Sequence, residues 1–254
     1  MYYSTEKMKC FYKKYGKNKK VILILPGWGD TRSTFQYLID YFKKDYTIYI
    51  LDYPGFGNSS FPNSDLDMFD YSMYIIKFLN HFNIKNPIII SHSFGGRISI
   101  LLTSFYQIRI DKMILIGSAG IKKKKSFKTL FKLYLYKLLK KLNIFFPKKM
   151  KVKYKRKLLK LFGSKDYSNL NFNMMKTFQN IINLDLTNYL DNINTETLLI
   201  WGELDEDTPL KDGILMNEKI KNSALITIPN SSHYVYLQNP LLIHRIIGEF
   251  IKKE

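Results

Sequence analysis

The sequence predicts an α/β protein: a mostly parallel central sheet flanked by helices, with a helical segment inserted after a strand at 112–117. Three observations predict it. Short apolar runs rich in Ile and Leu recur at 21–25, 47–52, 87–90, 112–117, 197–201 and 224–228, with segments of helical period between several of them. Unbroken apolar strands of this kind belong to parallel sheets covered on both faces. The loops directly after three of these runs hold a serine, an acid and a histidine, and open α/β sheets place their sites beyond the carboxyl ends of strands. A long lysine-rich stretch separates the run at 112–117 from the run at 197–201.

In chain order, the strand at 21–25 runs into Pro26-Gly27-Trp28-Gly29, whose glycines let a ligand approach the backbone closely. Helices are expected at 35–42 and 68–82, with the strand at 47–52 between them. The strand at 87–90 leads into Ser91-His92-Ser93-Phe94-Gly95-Gly96 and then a helix at 97–106. Within the insertion, Phe127, Leu130, Phe131, Tyr134, Leu138 and Leu142 recur at helical spacing, and Lys128, Lys132, Lys137, Lys140 and Lys141 interleave with them. Pro147 interrupts the pattern, a second helix at 151–162 ends at the capping Gly163, and a third covers 174–184. Strands at 197–201 and 224–228 and a closing helix at 240–251 follow. The expected division is a core of residues 1–119 and 197–254 with a helical, lysine-rich cap of residues 120–196.

A strand, a sharp turn carrying a serine and then a helix form the layout of a nucleophile elbow. A serine hydroxyl is a poor nucleophile until a base takes its proton and a carboxylate orients that base. After Ser93 the chain offers an acidic loop at 203–207 and then Pro229-Asn230-Ser231-Ser232-His233, the order serine, acid, histidine used on parallel sheets. His233 is the candidate base. His81 and His244 lie in helix-like segments, and His92 is expected to point away from the nucleophile on the turn. Asp205 shares its loop with Glu203, Glu206 and Asp207, so spacing alone leaves the acid open. A tetrahedral oxyanion needs two backbone N–H donors. Phe94, next after the nucleophile, and Trp28, in the loop after an early strand, are the candidates; a plain strand-to-helix turn is the simpler reading of the Trp28 loop.

Pro26-Gly27-Trp28-Gly29 resembles the oxyanion loop of the α/β-hydrolase-fold family, with Pro26 where a histidine is common. Asp52-Tyr53-Pro54-Gly55-Phe56-Gly57-Asn58-Ser59 resembles that family's Asp-x-Pro-Gly-x-Gly-x-Ser loop. Trp201-Gly202-Glu203-Leu204-Asp205 through Pro209 resembles its acid loop, which favours Asp205, and Ser232-His233 with Gln238-Asn239-Pro240 resembles its histidine loop. Ser91 and Ser232 stand where the family usually has glycine. Residues 162–167 and 183–186 resemble cap segments of an uncharacterised bacterial branch. The resemblance implies an α/β-hydrolase fold with a helical cap, and a serine hydrolase acting through Ser93, Asp205 and His233. The implied substrate is a small molecule or acyl-chain ester. A thioesterase, lactonase, carbon–carbon bond hydrolase or aminopeptidase is the alternative on the same fold, and a non-catalytic ligand- or membrane-binding protein is the alternative of another class.

The formal charge is +19 and sits in one place. Residues 112–165 contain nineteen Lys and Arg and no Asp or Glu, leaving 21 basic residues elsewhere to balance all 21 acidic ones. A solvated helical face is the plainest account. A basic amphipathic segment also suits an anionic membrane surface, whereas nucleic acid ranks last because no binding motif accompanies the charge. Cys10, the single cysteine, excludes an internal disulfide framework. No His/Cys cluster has metal-ligand spacing and no glycine loop is of nucleotide-binding type, so no cofactor or metal is expected. Residues 1–20 lack the apolar core of a signal peptide, and no run is suited to cross a bilayer. A cytoplasmic location is expected, with a peripheral place at a membrane as the variant.

Overall fold

The computed structural model describes residues 1–122 and 174–252, together with Tyr136, Leu139, Met150, Lys151 and Tyr154. Apart from Tyr136, Leu139, Lys151 and Tyr154, the helices expected at 127–142 and 151–162 lie outside the described residues, as do the Gly163 cap and the 162–167 motif. The strands are β1 (Tyr2–Ser4), β2 (Lys9–Tyr15), β3 (Val21–Leu25), β4 (Thr47–Leu51), β5 (Ile88–His92), β6 (Met113–Ile116), β7 (Thr197–Gly202) and β8 (Ser223–Ile228). They form one sheet in the order β1-β2-β4-β3-β5-β6-β7-β8. The first two pairings, β1 with β2 and β2 with β4, are antiparallel, and every pairing from β4 onward is parallel.

The helices are α1 (Gln36–Phe42), α2 (Met68–His81), α3 (Phe94–Ser104), α4 (Met175–Asn183), α5 (Leu210–Lys219), α6 (Val235–Gln238) and α7 (Pro240–Lys252), with 3-10 turns at Arg32–Phe35 and Thr187–Asn192. The strand pleat sorts the core. Leu23, Leu25, Leu51, Ile89, Leu115, Leu199 and Trp201 face one side, against Phe78 of α2, Leu101 of α3 and Met216 of α5. Their neighbours Ile22, Ile24, Ile50, Ile90, Ile116 and Ile200 face the other side, against Leu38 of α1 and Ile243, Ile247 and Ile251 of α7. Each fully buried Leu or Ile contributes about 1.5–3 kcal/mol, so the central strands are a stiff base for the loops at their ends.

Two local expectations change. The helix after the elbow starts at Phe94, not at 97. Gly95 and Gly96 are poor helix formers, but a Cβ at Gly95 would overlap the Leu25 carbonyl and one at Gly96 the Ser118 hydroxyl. Close packing of helix on strand therefore overrides propensity. Secondly, the N-terminal residues form two strands that the apolar runs did not announce, β1 at the sheet's edge and β2 between β1 and β4; in β2, Cys10 and Tyr12 are buried while Lys9, Lys13 and Lys14 are exposed. α2 begins with a capping box. The Asp67 side chain accepts from the Phe69 and Asp70 N–H groups, each at 2.9 Å, and the Asp70 carboxylate accepts from the Asp67 N–H at 3.1 Å. Among the described residues no helix is long and apolar enough to cross a membrane.

Candidate active site

Strands β3, β5, β6, β7 and β8 are parallel and lie within one continuous run of neighbours, so the loops after them share one edge of the sheet. That edge gathers all five predicted residues. Ser93 follows β5 in the turn into α3, with φ 48° and ψ −109°. Left-handed backbone costs a serine about 1–3 kcal/mol. Its amide donates to the Ile116 carbonyl at 3.1 Å, and its carbonyl accepts from the Gly96 and Ala119 amides, each at 3.0 Å, which holds the strained turn. Ser91, which replaces a glycine, is the fourth residue of β5 and fully buried, and its hydroxyl donates to the Ile114 carbonyl at 3.2 Å.

Asp205 and His233 meet directly, Oδ2 to Nδ1 at 2.8 Å. The sequence left four acids in this loop, and burial separates them: Asp205 is buried, whereas Glu203, Glu206 and Asp207 are exposed. Asp205 Oδ1 also accepts the amides of Asp207 at 2.9 Å and Thr208 at 2.8 Å. Thr208 Oγ1 lies 2.9 Å from Asp205 Oδ2 and 2.9 Å from the Gly117 carbonyl oxygen. Burial works against the Asp205 charge, but the hydrogen bond and charge of His233 and the Thr208 bonds outweigh it and hold the carboxyl below its ordinary value. The acid loop is anchored by Trp201, whose Nε1–H donates to the Thr208 carbonyl at 2.7 Å. On the histidine loop, Gln238 Oε1 accepts the Ser232 amide and Asn239 Nδ2 donates to Ser231 Oγ, both at 2.8 Å.

No hydrogen bond joins Ser93 Oγ to His233 among the described residues. They approach through Gly117, at the end of β6 beside the Ile116 carbonyl that holds the Ser93 amide. A Cβ on Gly117 would stand 3.1 Å from Asp205 Oδ2 and 3.2 Å from His233 Nδ1. A side chain here would press on the pair, and the φ of +47° would strain it besides.

Trp28 and Phe94 bring their amides to the same edge, and neither N–H has an acceptor among the described residues. The Trp28 ring packs against Phe56, Phe94 and Phe178 with centroids 4.9, 5.2 and 5.3 Å apart, so an apolar wall stands beside these donors. The 52–59 loop is folded around Asp52, which accepts the amides of Arg32 at 3.3 Å and Asn58 at 3.0 Å.

The sequence reading gave no role to Gly117, Thr208 and Asp30, and of His92 it expected only that the ring points away from the nucleophile. The last two do not look outward. His92 is buried between Asp30 and the His233 backbone. Among the described residues no cluster of three or more His, Cys, Asp or Glu side chains could hold a metal ion.

Comparison with known proteins bears on the family and the fold. The chain is 25% identical to the uncharacterized hydrolase YugF of Bacillus subtilis, over 98% of this chain and 97% of that protein. It is 28% identical to the pimeloyl-(acyl-carrier protein) methyl ester esterase of Wigglesworthia glossinidia brevipalpis, over 96% of this chain and 98% of that one. The enol-lactonase of Burkholderia xenovorans LB400 shares the fold at 15% identity, with a TM-score of 0.77 and 100% of both chains covered. A family model described as alpha/beta hydrolase fold matches residues 20–240. The chain belongs to the α/β-hydrolase-fold family.

Proposed function

We propose that the protein is a serine hydrolase cleaving a small or acyl-chain ester, or a related activated carbonyl, through an acyl-enzyme. The Asp205–His233 pair, buried at the strand edge that also carries the strained Ser93 turn, is the observation that supports this reading most. His233 takes the Ser93 proton as Ser93 Oγ attacks the carbonyl carbon. Asp205 accepts the Nδ1–H bond, which leaves Nε2 as the basic nitrogen and stabilises the imidazolium. The Trp28 and Phe94 amides receive the oxyanion, the role their unpaired N–H groups suit. His233 returns the proton to the leaving alcohol, then activates the water that releases the acid. The wall of Trp28, Phe56, Phe94 and Phe178 favours an apolar acyl group, and the ester reading accords with the esterase names among the relatives. A thioester, lactone, carbon–carbon or aminopeptide substrate is the alternative for the same groups.

The insertion, read as a cap over this edge, carries the charge excess. That charge supports a peripheral place for the protein at anionic lipid. Catalysis is tested with a panel of p-nitrophenyl esters of increasing chain length, run on wild type and Ser93→Ala together. Ser93→Ala is expected to lower kcat by about 10⁴–10⁶. Near-wild-type hydrolysis by that variant, or a wild type that neither hydrolyses any ester nor takes up a fluorophosphonate at Ser93, ends the reading.

A further inference from the structure

Behind the Asp205–His233 pair lies a second imidazole–carboxylate pair. We propose that His92 and Asp30 position the base by holding the backbone carbonyl of His233, which rests on the reading of His233 as the base. His92 Nε2 is 3.1 Å from that carbonyl oxygen and His92 Nδ1 is 3.1 Å from Asp30 Oδ2. A carbonyl oxygen offers only lone pairs, so Nε2 carries a hydrogen and donates. Asp30 then supplies the hydrogen between it and Nδ1, or leaves it on the imidazole; either way one shared proton completes the chain. Asp30 Oδ1 accepts from the Tyr234 hydroxyl at 3.2 Å, so consecutive residues of the histidine loop are gripped, 233 by its carbonyl and 234 by its side chain.

The pair is part of the packing as well as the hydrogen bonding. His92 is fully buried, and its ring lies against that of His233 with centroids 4.6 Å apart. A Cβ at Gly27 would stand 2.5 Å from Asp30 Oδ2 and 2.8 Å from His92 Nδ1. The glycine preceding Trp28 is thus shaped around the pair. Three loops are tied together: Asp30 after β3, His92 beside Ser93 at the end of β5, and His233 after β8. Asp205 fixes the imidazole end of residue 233 and His92 fixes its backbone end. A misplacement of about 1 Å in a catalytic group can cost about 10²-fold, so the backbone end matters to the rate.

The test uses the full-length protein, p-nitrophenyl butyrate turnover, and fluorophosphonate titration to count competent sites. His92→Ala and Asp30→Ala are expected to lower kcat per titrated site about 10–100-fold with KM within threefold. Asp30→Asn can donate its amide N–H to His92 Nδ1 and accept from Tyr234, and is expected to recover most of what Asp30→Ala loses. A purely structural role would lower the number of titrated sites and leave kcat per site unchanged, and that result overturns the proposal. So does an Asp30→Asn enzyme as slow as Asp30→Ala. If His92→Ala does not fold, the two Asp30 variants decide alone. Absence of labelling at Ser93 in the wild type overturns the serine-hydrolase reading and this proposal together; a labelled wild type with an unimpaired His92→Ala overturns this proposal only.

Discussion

At the scale of single residues, the site depends as much on what is missing as on what reacts. Gly117 has φ +47°, and the space its hydrogen leaves is bounded by Asp205 and His233. Gly117→Ala would put a methyl group into tight contact with both and impose left-handed backbone on an L-residue, at a cost of about 1–2 kcal/mol. The expected outcome is at least a tenfold lower kcat on p-nitrophenyl butyrate, with a urea midpoint lowered to match that cost. Wild-type turnover in this variant would mean that the acid–histidine pair tolerates displacement and that its close fit to β6 is irrelevant. Ser93, Asp205 and His233 were legible as candidates because chemistry restricts their residue types and each follows a readable strand. Asp205 was separated from its three acidic neighbours only by resemblance, and burial supplies the physical reason. The contacts of Gly117, Thr208, Asp30 and His92 were not legible, although His92 was expected to point away from the nucleophile. Their roles arise from contacts across the fold, such as those of Asp30 with His92 at a sequence separation of 62 and of His92 with His233 at 141, and no local pattern encodes those distances.

Among the elements, α4 shows how the end of the insertion returns to the core. Thr177 Oγ1 accepts the Leu66 amide at 3.0 Å and Asn180 Nδ2 donates to the Leu66 carbonyl at 3.1 Å, so two side chains spaced i,i+3 satisfy one buried residue's backbone. Phe178, between them, packs on Trp28, and Met174 lies 3.0 Å from where a Gly55 Cβ would be. Arg97 of α3, also buried, adds a bond from Nη1 to the Leu184 carbonyl at 2.8 Å just beyond α4. Thr177→Val removes an acceptor and leaves the Leu66 N–H buried and unpaired, which costs about 1–3 kcal/mol. Urea unfolding is expected to show that loss, with Thr177→Ser restoring it. A Thr177→Val protein as stable as wild type would mean that the Leu66 contact does not hold α4. Strands β3 to β7 were readable because burial on both faces demands unbroken apolar runs. β1 and β2 were not: a three-residue strand has no period, and the exposed lysines of β2 break the apolar signal. α3 was placed three residues late because two glycines argue against a helix that packing nonetheless requires.

For the molecule as a whole, charge and the candidate site are divided between segments. Outside residues 112–165 the basic and acidic residues balance, so the excess of +19 belongs to one stretch. That stretch spans β6 and much of the segment between β6 and β7, and both strands run parallel toward the edge that carries Ser93, Asp205 and His233. A basic residue close to an anionic bilayer contributes about 1 kcal/mol, an attraction that fades over a Debye length of about 8 Å at physiological salt. A handful of the insertion's lysines at the surface would suffice for measurable binding, and would present the reactive edge to acyl chains held there. The expected outcome is co-sedimentation with phosphatidylserine-containing vesicles at low salt, loss of binding as ionic strength rises, and none on pure phosphatidylcholine. A solvated lysine face predicts no binding to either vesicle. Binding indifferent to both lipid charge and salt would instead assign the interaction to apolar side chains, and the segregation of charge would then have no part in where the enzyme works.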